Sequence, residues 1–228
     1  MGQSFKLRIF ICLLFLSTFS ILCFPRSSEK DQALDEHVKA FLDKMKYQWR
    51  DMNVPETDGK LLYDIVLNHN YKKALELGTS TGRSGIYIAW ALSKTGGKLI
   101  TVEINEGRYR EALANFKEAG LDGYIDARLA DAHQLAEELP GPFDFVFIDA
   151  DKGWYTNYAK AVIPKLEAGG CIAAHNVSES GPGRRGPSGR GGMGQSYYEY
   201  MKSLAEFETG ILSESRGGLA VSYKIKEN

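Results

Sequence analysis

Apolar positions along the chain change their period several times, and each change marks an element. The stretch "HVKAFLDKMKYQWRDM", residues 37–52, carries Val38, Phe41, Leu42, Met45 and Trp49 at helical spacing. The stretch "TDGKLLYDIVLNHN", residues 57–70, predicts a second helix with Thr57 or Asp58 as its cap. Strands and helices then alternate. Short apolar runs predict strands at Ala74 to Leu77, Lys98 to Glu103, Tyr124 to Leu129, Phe143 to Asp149 and Gly170 to Ala174. Helices are expected between them at Ser84 to Ser93, Glu106 to Ala119, Ala132 to Leu139 and Tyr155 to Leu166, where Gly120, Pro140 and Pro164 act as stops. A helix near Ser196 to Glu206 and two strands, Phe207 to Leu212 and Leu219 to Lys224, close the chain. Repeated alternation of this kind predicts a parallel sheet covered by helices on both faces.

Two stretches fall outside this pattern. Lys6 and Arg8 precede "IFICLLFLSTFSILCF", residues 9–24, which hold no charge. The run is long for a signal-peptide core and short of the roughly 20 residues of a membrane span. Thr18 and Ser20 would fit a small-residue cleavage pattern but leave a short core, and Leu22-Cys23 is a poor lipoprotein signal. Residues 1–24 are therefore expected to be a signal peptide or a membrane anchor, residues 25–36 a polar tether, and residues 37–228 the globular domain. The protein would then be membrane-associated or exported, with the side of the membrane left open. The second stretch, "SESGPGRRGPSGRGGMGQ", residues 178–195, cannot build a core and is expected to be a surface loop. Its Arg184, Arg185 and Arg190 fit a solvated loop better than a cover for an acidic substrate.

Composition narrows the class. The 228 residues are 43% hydrophobic and 25% charged, which suits one globular domain with a sizeable core. A net charge of -1 supplies no field for nucleic acid or an anionic membrane surface. Cys12, Cys23 and Cys171 show no disulfide or zinc spacing.

The chemistry gathers at one edge. Ligands of an open parallel sheet bind outside the carboxyl ends of its strands. The five successive strands bring Glu76 with the turn "GTSTGRSG", then Glu103, Asp131, Asp149, and finally His175 with Asn176 to that edge. Gly78 and Gly82 stand four apart, so the dinucleotide fingerprint G-x-G-x-x-G is missing and a nicotinamide oxidoreductase is disfavoured. An acid after the second strand can hold the ribose hydroxyls of an adenosine. So many carboxylates would repel a phosphate-rich cofactor and favour a cationic nucleoside.

The stretches "ALELGTSTGRSGIYIAWAL", "LITVEINEGRYREALANF", "LADA" and "FDFVFIDADKGWYTNY" resemble successive motifs of class I S-adenosylmethionine-dependent O-methyltransferases, and more closely the catechol and caffeoyl-CoA group. The resemblance covers about residues 37–225, and Asp149 to Lys152 is its most specific part. It implies an α/β, doubly wound, mostly parallel seven-stranded Rossmann-like methyltransferase sheet with a reversed last strand. It places Val54, Glu76, Gly78 and Ser84 at the methionine part of the cofactor, Glu103 at the ribose, and Asp131 and Ala132 at the adenine. It assigns Asp149 as the first ligand of a divalent cation, Lys152 to the attacking hydroxyl and Asn176 as the last metal ligand. Methyl transfer from sulfonium to oxygen asks the protein mainly to align its partners, and a cation on the oxygen lowers its pKa.

One position departs from that pattern. His175 stands where the resembled family carries an aspartate beside Asn176. Three readings stay open: a ligand for a transition metal, a hydrogen-bonding substitute in a metal-free methyltransferase, or a weakened site that still binds cofactor. Asp151 reads equally as a loop cap or an ion-pair partner. Trp154, Tyr155, Tyr197 and Tyr198 fit an acceptor pocket or ordinary packing. The expected function is methyl transfer to a small phenolic or catechol-like acceptor. Rivals are a membrane-tethered cofactor-binding protein with weak or no turnover and a methyltransferase of hydroxylated tRNA bases, the latter disfavoured by the neutral charge. A homodimer is left open.

If residues 9–24 only direct the chain to a membrane, deleting residues 1–30 leaves a soluble protein that unfolds cooperatively. Fractionation of the full-length chain as soluble and uncleaved in its host would defeat this expectation.

Overall fold

The computed structural model describes residues 29–178 and 195–226. The apolar run of residues 9–24, Cys12, Cys23 and the three arginines of the Gly/Arg-rich stretch lie outside the described residues. Among the described residues no helix is long and apolar enough to cross a membrane.

The elements run α1 (Glu29–Met45), α2 (Glu56–Asn68), β1 (Lys73–Leu77), α3 (Arg83–Thr95), β2 (Lys98–Glu103), α4 (Glu106–Glu118), β3 (Ile125–Leu129), α5 (Ala132–Glu138), β4 (Phe143–Ile148), α6 (Tyr155–Val162), β5 (Leu166–His175), α7 (Gln195–Ser203), β6 (Phe207–Ile211) and β7 (Leu219–Lys224). Strand order is β3-β2-β1-β4-β5-β7-β6. The first five strands are parallel, while β7 runs antiparallel between β5 and β6. The chain winds outward from β1 through β2 to β3, then returns to β4 on the other side of β1. The crevice at that reversal is where such a sheet takes its ligand.

Strand β4 shows why the apolar run "FDFVFI" is a strand buried on both faces. Phe145 and Phe147 pack with Leu62, Val66, Ile88 and Leu92 of α2 and α3. Val146 and Ile148 point the other way, into a core with Leu135, Tyr158, Ala159 and Tyr197 from α5, α6 and α7. A third cluster joins Val38 and Phe41 of α1 to Ile86, Ala89 and Phe116.

Several boundaries differ from expectation. The stretch expected as a tether is helical from Glu29 onward, because α1 is tied to α3: Asp35 accepts from Trp90 Nε1 at 2.6 Å and pairs with Lys94 at 2.5 Å. Helix α1 then ends at Met45, so Trp49 lies beyond it, with its ring 6.2 Å from Phe41 and under the Arg83 guanidinium. In α2 neither Thr57 nor Asp58 is the cap; Pro55 holds that place and Asp58 is fully buried in the first turn. Helix α6 stops at Val162, and a single turn holding Pro164 leads straight into β5, which starts at Leu166.

Helices α2 and α3 touch through a glycine. A Cβ on Gly59 would lie 2.3 Å from the buried ring of Tyr87. Gly59→Ala is therefore expected to cost about 1–3 kcal/mol of stability by overpacking, read as a lower denaturation midpoint with an unchanged denaturant slope.

Candidate active site

The turn after β1 is held at the crevice by its backbone. Gly78 N–H and Thr79 N–H donate to Val102 O at 3.1 and 3.0 Å, and Asp149 N–H donates to Leu77 O at 2.9 Å. Gly78 sits at φ +101°, and a Cβ there would come within 2.7 Å of Asp149 O. Only glycine meets both demands, and the bare backbone stays open to a ligand. Behind the turn Glu76 is fully buried. Its Oε2 accepts from Thr101 Oγ1 at 2.6 Å, while its Oε1 has no partner in the protein. Burial pushes its carboxyl up to about 8, against the pull of hydrogen bonds from Ser84 and Thr101.

A cavity of about 180 Å³ opens beside this turn, between the ends of β2 and β4. Gly78, Glu103, Asp131, Ala132, His133 and Tyr158 all line it. Glu103 Oε2 accepts from Ser80 N–H at 2.8 Å and its Oε1 from Asn105 N–H at 2.9 Å. A carboxylate has about four acceptor positions, so Glu103 keeps capacity for a ligand. Asp131 caps α5 by accepting from His133 N–H at 2.8 Å. His133 lines one side, and its ring stacks on Trp154 with centroids 4.1 Å apart.

The tips of β4 and β5 carry a different arrangement. Lys152 Nζ donates to Asp149 Oδ1, and also to Tyr155 Oη at 2.7 Å. Tyr155 Oη lies 3.3 Å from Asp149 Oδ1 and donates to His175 O at 3.1 Å. His175 Nδ1 is 3.4 Å from Asp149 Oδ2, and His175 Nε2 is 2.8 Å from Asp58 Oδ2. Asp58 also accepts from the N–H groups of Arg216 and Gly217, both at 2.9 Å. Burial opposes a charge on His175, but the carboxylates of Asp149 and Asp58 prevail and push its pKa up to about 9. Burial likewise opposes the charge on Asp58, yet His175 and the two amides hold its carboxyl at about 2. Asp149 is lowered for the same reason, by His175 and then Lys152 against burial. The tip is thus a chain of paired charges, Asp58 to His175 to Asp149 to Lys152.

Comparison with known proteins matches this geometry. A family model described as O-methyltransferase matches residues 25–183. The chain belongs to the O-methyltransferase family. A caffeoyl-CoA O-methyltransferase of Medicago sativa is 34% identical over 164 residues, 69% of this chain and 64% of that protein. A catechol O-methyltransferase of Niastella koreensis is 39% identical over 134 residues, 57% of this chain and 60% of that protein. The chain thus spans somewhat under two thirds of the length of these curated relatives. An O-methyltransferase from Bacillus cereus, solved in complex with SAH, superposes with a TM-score of 0.65 at 25% identity, covering 89% of this chain and 93% of that one.

For this O-methyltransferase family member the structure sorts the expected site residues. Gly78, Glu103, Asp131 and Ala132 share the cavity, with Glu76 and Ser84 buried behind the turn. Val54 is buried nearby, where its carbonyl accepts from Arg83 Nη1 at 3.2 Å. Lys152 and Asp149 meet as an ion pair. Of the expected metal ligands, Asp149 and His175 lie side by side at the tips of β4 and β5. Both His175 nitrogens face carboxylates, Asn176 is exposed with its Nδ2 on Gly217 O at 3.4 Å, and no three His, Cys, Asp or Glu side chains among the described residues could hold an ion. Asp151 is a loop cap, accepting from Gly153 N–H at 2.9 Å. Tyr155, Tyr197 and Tyr198 are buried core residues, and Trp154 packs on His133. Asp58 and His133 were missed. An acid on the apolar side of an amphipathic helix was the only available hint of Asp58, and nothing local marked His133.

Glu76 sets a pH dependence for the ligand-free protein. Between its ordinary value near 4.5 and its folded value of about 8, the folded state holds a proton that the unfolded chain has released. Stability is then full below about pH 4.5 and falls as pH rises through 8, by about 1.4 kcal/mol per pKa unit. Glu76→Gln is expected to flatten that decline, measured as the difference between the two proteins in urea unfolding from pH 5 to 8.

Proposed function

We propose that this chain transfers a methyl group from S-adenosylmethionine to a hydroxyl of a small phenolic, catechol-like acceptor. The observation that carries this reading is the crevice at the sheet reversal. There a glycine turn with a close backbone approach and the Glu103 carboxylate line one cavity, and the unpartnered Glu76 Oε1 lies buried behind the turn. These features fit a cationic nucleoside. Glu103 would hold the ribose, Asp131 and Ala132 the adenine side, and the turn from Gly78 with Glu76 and Ser84 the charged amino acid end. His133, backed by Trp154, would close the adenine side.

When bound, the cofactor supplies an activated methyl group on a sulfonium, which passes to the acceptor oxygen as the carbon–sulfur bond breaks, its electron pair stays on sulfur and the hydroxyl proton is released. The chain's own part is alignment and charge. Lys152, held by Asp149 and Tyr155 beyond the tip of β4, would face negative charge developing on an acceptor oxygen. Tyr155 remains a neutral donor, since burial and then Asp149 raise its pKa well above the usual value. Relatives named for caffeoyl-CoA, flavonoid and catechol substrates support the acceptor class.

Methyl transfer to a panel of catechols, detected by product mass, tests the reading. Failure on every catechol would defeat the acceptor class. Glu103→Ala is expected to weaken S-adenosylhomocysteine binding about ten- to a hundredfold in calorimetry, the worth of a charge-assisted hydrogen-bond pair. Unchanged affinity would remove Glu103 from the ribose site.

A further inference from the structure

The residues that the family resemblance assigns to a divalent ion do not fit one. Asp149 Oδ1 accepts from Lys152 and lies 3.3 Å from Tyr155 Oη, and its Oδ2 faces His175 Nδ1 at 3.4 Å. The second ring nitrogen, Nε2, lies 2.8 Å from Asp58 Oδ2. An ionised carboxylate only accepts, so Nε2 carries a hydrogen toward Asp58, while Nδ1 faces an Asp149 carboxylate already paired with Lys152; magnesium and manganese ask for several hard oxygens, and this tip offers a single carboxylate. Asn176 supplies at most one further donor, from an exposed side chain at φ +59°.

The bridge is boxed in. A Cβ on Gly217 would lie 2.1 Å from His175 Nε2 and 2.6 Å from Asp58 Oδ2. The backbone of the turn before β7 therefore lies directly over the pair, and Asp58 holds that turn through two N–H groups. The ring cannot swing aside for an ion unless α2, β5 and this turn move together. A dication placed beside Asp149 would also sit against the Lys152 ammonium, which repels it.

We propose that methyl transfer in this chain proceeds without a bound divalent cation. The Asp58–His175 pair takes the ion's place in anchoring Asp149, and Lys152 is the cation that faces the acceptor oxygen. This rests on the O-methyltransferase reading above. As the oxygen–carbon bond forms and the carbon–sulfur bond breaks, the bonding pair stays on sulfur. The hydroxyl proton leaves to water, so no further reactant is needed.

The test uses the full chain with S-adenosylhomocysteine present. It is titrated with magnesium and with manganese by calorimetry, while transfer from S-adenosylmethionine to catechol is followed with and without EDTA. The expected result is no saturable metal binding and a rate that EDTA leaves unchanged. His175→Asp, which restores an anionic oxygen and breaks the bridge, is expected to gain saturable binding of one manganese while its affinity for S-adenosylhomocysteine stays the same. If that variant does not fold, the titration of the unmodified chain decides alone. Saturable binding of one manganese that Asp149→Asn abolishes would overturn the proposal. So would transfer that EDTA stops and magnesium restores. Absence of any transfer with or without metal would instead defeat the O-methyltransferase reading, and the metal titration would still decide whether the ion site exists.

Discussion

Asp149 is a carboxylate largely withdrawn from water just past the end of a core strand, and withdrawing an unpaired charge from water costs several kcal/mol. Everything around it meets that cost. Lys152 returns to it from three residues on, Tyr155 adds a hydroxyl, and His175 approaches from the neighbouring strand. His175 in turn needs its own compensation, which comes from Asp58 on α2. Removing one partner of such a buried pair typically costs about 3–5 kcal/mol, because the charge left behind is stranded. The pairing is therefore as much a condition for the fold at this edge as a feature of the site.

The reversed strand makes this pairing geometrically available. Because β7 runs antiparallel to β5, its first residue, Leu219, lies opposite His175. The turn that precedes β7 must then lie at the same sheet edge as the tips of the parallel strands. It delivers the amides of Arg216 and Gly217 to Asp58 and leaves room only for glycine over the His175 ring. A sheet with all seven strands parallel would have put that turn at the opposite edge.

Most of the fold was legible in the pattern of apolar residues. The strands from β1 to β4 and the two closing strands lie within a residue or two of expectation, since each is bounded by glycine, proline or charge. The misses share one cause. Trp49 continues the helical spacing of α1 but packs on Phe41 from outside the helix, and residues 29–36 read as polar although Asp35 is fixed by Trp90 and Lys94. Contacts between distant segments decided both, and local periodicity holds no record of them.

The sequence by itself determined which residues reach the carboxyl edge of the sheet, because alternating strands and helices leave their strand tips on one side. Glu76, Gly78, Glu103, Asp131, Asp149, Lys152 and His175 all stand there as expected. Only the tertiary structure decided what they do to one another. Whether His175 offers a nitrogen or spends both depends on Asp58, which lies 117 positions away in sequence. Whether Glu76 keeps a free oxygen depends on how Thr101 and Ser84 divide its lone pairs. Hydrogen bonds at 3 Å are set by the meeting of elements, and a linear pattern records only that each element exists.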